Sequence, residues 1–146
     1  LRERREGVVT ALSSTGRNTE IWEIDAENNI YEQVLKYLND DRNIAITVTS
    51  EEYLEDVMRG ISAVSKEVKV YVIGNSDAAV YFLDNKQLEY LIFPDEFGIG
   101  YAAVNSVINP KEYKNKNYKN IIRYKIISRP DMYTGEYEKI LFPFVK

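Results

Sequence analysis

Short β-branched runs, each followed by an amphipathic helical stretch, recur through the first hundred residues, and this rhythm limits the possible folds more than any other feature of the chain. The runs read as strands at Thr19–Ile24, Ile44–Thr49, Val68–Ile73 and Glu89–Phe93, separated by helical patterns at Ile30–Leu38, Glu51–Val64 and Asp77–Leu83. In Glu51–Val64 the apolar Leu54, Val57, Met58 and Ile61 recur at i, i+3, i+4 and i+7, which places them on one helical face, and Ser50 stands where an N-cap would. Alternating elements of this kind build a parallel sheet with helices on both faces, because each crossover must bury its apolar stripe against that sheet. The expected class is therefore α/β, with a doubly wound, mostly parallel sheet. Ligands of such sheets sit at the carboxyl ends of the strands. That directs attention to Ser50, to Gly74 through Asp77, and to Pro94 through Glu96.

Flanking segments have their own texture. Leu1–Leu12 is charged at first and then apolar at Val8, Val9 and Leu12, which suits a helix ended near Ser13–Gly16 by small residues. Pro94 breaks the pattern after Phe93, and Asp95–Ile108 reads as a further helix carrying Gly98, Gly100, Ala102 and Ala103. Lys111–Asn120, rich in Lys, Asn and Tyr without apolar periodicity, reads as a solvated loop. Ile121–Ser128 is strand-like, and the tail gathers Ile140, Leu141, Phe142, Phe144 and Val145.

Composition removes several functions. The 146 residues contain no Cys and no His, so thiol nucleophiles, His-dependent triads, Cys/His zinc sites and imidazole acid-base catalysis lack their reagents. A formal net charge of -4 argues against a grip on a phosphate backbone, and no nucleic acid is expected as a partner of this segment. No apolar run approaches the ~20 residues that span a bilayer. The chain opens on Leu1 inside a helical pattern and reads as a segment of a longer protein, with any targeting signal expected upstream. No metal or cofactor is expected: no nucleophile-base pair, metal cluster or Gly-rich phosphate loop is legible, and Gly98-Ile99-Gly100 lacks the third Gly of a dinucleotide fingerprint.

Three motifs in this order resemble the C-terminal half of the type I periplasmic-binding-protein family, which includes ribose-type sugar-binding proteins and the effector domains of LacI-type repressors. They are LRERREGV at Leu1–Val8, VYVIGNSD at Val70–Asp77 followed by Asn85–Leu88, and IFPDEFGIGYAAV at Ile92–Val104. The tail ISRPDMYTGEYEKILFPFV resembles the final strand and extension of some solute-binding members. The resemblance implies the C-terminal lobe of a two-lobed clamshell over residues 1–93, with its first strand-helix unit upstream. Residues 94–120 would hold the hinge crossing, helix and polar loop that pack toward the N-terminal lobe, and residues 121–146 the returning strand and extension.

It also implies a non-enzymatic function: binding of a small solute, in most members a carbohydrate, by a receptor that serves a transporter permease or a sensor kinase. Such a receptor is extracellular or anchored at the cell surface; the alternative is a cytoplasmic LacI-type regulator, and either can be a homodimer. An enzyme on the same sheet, using Asp77, Asp95 or Glu51 as acid and base, is the competing class. Position by position, Arg2 matches the family's ligand-binding Arg, Ser50 its Asn or Asp, and Asn75, Ser76 and Asp77 its sugar-binding Asp, while Asp95 falls near the hinge Gln or Asn. Each also has a purely structural reading. Arg2 can lie on a solvated helix face, Ser50 can cap a helix, and Asn75 to Asp77 can form a capped turn. Tyr53, one turn beyond Ser50, is placed to lean over the same cleft.

Overall fold

The computed structural model describes residues 2–16, 20–40, 42, 44–111 and 123–142, and over these the chain is an α/β protein built on a four-stranded mixed sheet. Strands β1 (Ala45–Val48), β2 (Lys69–Ile73), β3 (Tyr90–Pro94) and β4 (Tyr124–Ile127) lie side by side in chain order. The first three are parallel, with Ile46 opposite Val70 and Val72 opposite Leu91; β4 is antiparallel, with Ile126 opposite Ile92. Around them run α1 (Arg2–Ser14), α2 (Ile30–Leu38), α3 (Leu54–Ser62), α4 (Asp77–Asp84), α5 (Glu96–Ile108) and the short α6 (Glu138–Leu141).

Strand residues alternate between two faces, and among the described residues only one of those faces is closed. Val48, Val70, Val72, Leu91, Phe93 and Ile127 are buried against Val34 and Leu38 of α2, Leu54, Val57 and Met58 of α3, and Leu83 of α4 in a single core. That core also takes in Met132, on the 3-10 turn Pro130–Tyr133 that follows β4. The opposite face carries Tyr71, Ile73, Tyr90, Ile92, Tyr124 and Ile126, half-buried or exposed, with the Tyr71 and Tyr90 rings stacked at 6.1 Å. The first two turns of α1 border this second face, yet no residue of α1 is buried. Helix α5 turns Ala102 inward while Phe97, Tyr101, Val104 and Ile108 form an exposed stripe.

Local chemistry sets the element ends. Asn29 caps α2 by accepting from the Glu32 amide, and Gly16, with φ of 64°, follows the end of α1 in the left-handed region. Gly60 of α3 is buried against α2: a Cβ there would lie 2.7 Å from Val34 Cγ1, so the two helices meet at a spacing only glycine permits.

Two expectations need correction. Glu20–Ile24, the described part of the expected strand Thr19–Ile24, is irregular and pairs with no strand among the described residues; residue propensity alone cannot make a strand without a neighbour to take its backbone hydrogen bonds. The expected helix Glu51–Val64 is divided into a 3-10 turn, Glu51–Tyr53, and α3, and Ser50 does not cap it with its side chain. The Ser50 hydroxyl donates instead to the Glu52 carboxylate at 2.9 Å. The expected loop Lys111–Asn120 lies, apart from Lys111, outside the described residues, as do Phe144 and Val145.

Candidate functional site

Parallel strands deliver their carboxyl ends to one edge of the sheet, and the segments after β1, β2 and β3 meet there. After β1, Ser50 leads into the turn that carries Glu51. After β2, Gly74 adopts a φ of 152°, and its amide donates to the Ile92 carbonyl of β3 at 2.8 Å. Glu51 lies directly over Gly74, in the space a Cβ would take, and accepts a hydrogen bond from the Ser76 amide. Gly74 is therefore required twice, by its backbone angle and by the side chain packed on it.

Ser76 also caps α4, its hydroxyl accepting from the Ala79 amide at 3.4 Å, and Asp77 stands exposed in the first turn of that helix. Asn75 is half-buried between them and Gly74. After β3, Asp95 caps α5 by accepting from the Gly98 amide at 3.2 Å, and its own amide donates to the Arg123 carbonyl at 2.7 Å, which ties the turn to the chain entering β4. The capping reading of the Asn75–Asp77 turn thus holds in the structure at Ser76, and Asp95 proves to be a cap as well; each keeps acceptor capacity beyond its single cap bond.

Helix α1 brings basic groups to the same edge. Arg2, Glu3, Arg4 and Gly7 border a shallow recess of about 550 Å³ together with Ile73, Ile92 and Tyr124. Arg2 pairs with Glu6 one turn along α1 at 3.0 Å, and its side chain is 90% exposed. The Arg4 guanidinium donates to the Thr49 carbonyl at the end of β1. So Arg2 opens to the expected edge but is engaged on its own helix, and Arg4, two residues on, is the guanidinium that reaches the strand ends. Tyr53 is half-buried against the core and lines a groove with Thr49, Ser50 and Val57, and a hydrogen bond to Glu52 raises the pKa of its hydroxyl.

Sequence reasoning missed the pairing of Glu51 with the Gly74 turn. Both residues stood next to strand ends, but their contact spans 25 positions and becomes visible only once β1 and β2 are neighbours. Chemically the edge presents carboxylate, amide and hydroxyl acceptors from Glu51, Asn75, Ser76, Asp77 and Asp95, with the Arg4 guanidinium bound nearby to the Thr49 carbonyl at the end of β1. That set can hold hydroxyl groups through many short bonds. Among the described residues no group of three or more acidic side chains could hold a metal ion, and no helix is long and apolar enough to cross a membrane. Comparison with protein-family models, with curated proteins and with solved structures finds no match for this chain.

Proposed function

We propose that this chain is one lobe of a clamshell receptor for a small, neutral, hydroxylated solute, a carbohydrate by chemical class, which it binds without chemical change. The observation that carries the reading is the Glu51 carboxylate seated on the Gly74–Ser76 turn at the carboxyl edge of the parallel strands. A helix amino terminus after a Gly turn is otherwise suited to an anion. With a carboxylate already there, a phosphate or carboxylate ligand meets like charge, whereas hydroxyl donors meet acceptors. The doubly wound lobe of the type I periplasmic-binding-protein architecture is part of the same proposal. So are the partner lobe, and the receptor's service to a transporter permease or sensor kinase at the cell surface. The cleft would be completed by that partner lobe.

The test is a titration followed by backbone amide resonances, using glucose, ribose, maltose and inositol against glucose 6-phosphate. The neutral compounds should shift the amides of Ser50 and of Asn75 through Asp77, glucose 6-phosphate should not, and Asp77→Ala should weaken the response about tenfold, the scale of a lost charge-assisted hydrogen bond. Shifts confined to other surfaces, a preference for the phosphorylated sugar, or turnover of any of these compounds would refute the reading.

A further inference from the structure

The shallow recess of about 550 Å³ on the open face of the sheet has a chemistry unlike that of the edge it adjoins. Its floor is Ile73 of β2 and Ile92 of β3, paired in register, and Tyr124 of β4 stands beside them, 55% exposed. Ile73 directly precedes Gly74, and Ile92, whose carbonyl accepts from the Gly74 amide, lies three residues before Asp95. The recess therefore adjoins the turns that carry Asn75 to Asp77 and Asp95. Its other wall is the start of α1, with Arg2, Glu3, Arg4 and Gly7. Gly7 stands in the interior of that helix, where glycine is less favourable than alanine, and a Cβ there would meet no atom within 4 Å. Nothing in the chain's own packing asks for glycine at this position; its effect is to leave the wall of the recess bare.

The two isoleucine side chains offer no hydrogen bond, so a polar group laid over them would lose its water without replacement. That disfavours the hydroxyls of a second sugar ring. Nor do the guanidiniums make the recess an anion site: Arg2 is paired with Glu6 at 3.0 Å, Arg4 is bound to the Thr49 carbonyl, and the Glu3 carboxylate borders the same space. A flat apolar ring suits every part of the lining. It loses little by leaving water for branched aliphatic side chains, it stacks on a tyrosine, and its π face attracts a guanidinium that keeps its own partner. We propose that the recess seats an aromatic group, carried as the aglycone of the hydroxylated solute whose sugar occupies the strand-end turns. The ligand class is thereby narrowed from carbohydrates at large to aryl glycosides. Tyr124 sets this preference by stacking, and Gly7 makes room for the ring. The inference rests on the sugar-binding reading of the edge, to which it adds the aromatic group.

The experiment titrates the 146-residue chain with methyl β-D-glucoside and with phenyl β-D-glucoside, following the Ile73 and Ile92 methyl resonances beside the backbone amides. Phenyl glucoside should bind at least about tenfold more tightly, and its ring current should move both sets of methyl resonances, which methyl glucoside leaves in place. Tyr124→Ala and Gly7→Leu should each bring phenyl glucoside to within about threefold of methyl glucoside, whose own affinity neither variant changes. Tyr124→Phe, which keeps the ring, should keep the preference. Equal affinity for the two glycosides in the unaltered chain, a preference that survives both Tyr124→Ala and Gly7→Leu, or unmoved methyl resonances at Ile73 and Ile92 would overturn the proposal. If neither glycoside moves the amides of Asn75 through Asp77, the sugar reading of the edge fails by itself. Phenol alone at millimolar concentration then decides the recess: moved Ile73 and Ile92 methyl resonances uphold the aromatic seat, and silent ones overturn it.

Discussion

The two edges of the sheet are built from similar residues and end in opposite conditions. At the β4 edge the chain closes on itself immediately after the strand. Asp131 accepts from both the amide and the hydroxyl of Ser128, at 2.8 and 2.6 Å, Arg129 bonds the Asp84 carbonyl and carboxylate of α4, and Met132 inserts into the core with no exposed surface. Lys125 adds an ion pair to Glu136 at 3.4 Å. At the β1 edge, Glu20–Ile24 stands off, held by ion pairs and by Trp22 stacked on Tyr37 at 4.8 Å, and never reaches the strand. An antiparallel edge strand can be finished by the few residues that follow it. A parallel edge strand gains its next neighbour only through a crossover, and among the described residues none reaches β1 on that side.

Truncating the plug of the closed edge should do the most damage. Met132→Ala removes a fully buried side chain and should cost about 2–5 kcal/mol in denaturant unfolding; a loss under about 1 kcal/mol would mean that this edge is no firmer than the other. Next comes Asp131→Ala, which leaves the Ser128 amide and hydroxyl donors without their shared acceptor and should cost about 1–2 kcal/mol. At the exposed Ile126 on the same strand, Thr should change stability by no more than about 0.5 kcal/mol, because the open face of β4 covers little of it.

The smallest effect belongs to the open edge and has a definite sign. The Arg42 guanidinium, bonding Asp40 through its side chain and through its amide, lowers the Asp40 carboxyl from the usual range to about 2. A carboxyl depressed in the folded state contributes stability above its unfolded pKa and loses it as pH falls through the folded value. The melting temperature should therefore show a small added fall between pH 4 and pH 2 that Arg42→Gln abolishes; the fall is small because the ion pair lies at the solvent-screened surface. An unchanged acid profile in that variant would show that the ion pairs do not hold the open edge.

How much of this was legible depended on whether a feature is local. Helix periodicity placed Leu54, Val57 and Met58 in the core, and β-branched runs marked three parallel strands within a residue or so, because both patterns are written in consecutive positions. Thr19–Ile24 carries the same strand signal, and it misled: strand propensity speaks for the residue, while a strand needs a partner. The antiparallel direction of β4 and the contact of Gly60 with Val34 were likewise invisible, since each joins residues far apart in the chain. At the site, strand ends were predictable from the alternation. Which of Arg2 and Arg4 faces them was not, because a shift of two positions on a helix turns a side chain by more than half a revolution.

The turn after β2 has one further consequence, which belongs to competition and not to geometry. Glu51 is held over the Ser76 amide by the pairing of β1 with β2, so it faces that donor at an effective concentration set by the fold and not by the solution. Any solute that aims an acceptor at the same amide must outcompete this built-in rival and is held more weakly by the fraction of time the rival is in place. A solute that aims a hydroxyl proton at Glu51 meets no rival, and the ordering of the carboxylate is already complete before it arrives. On the proposed function, selection between the two kinds of solute would fall to this internal ligand.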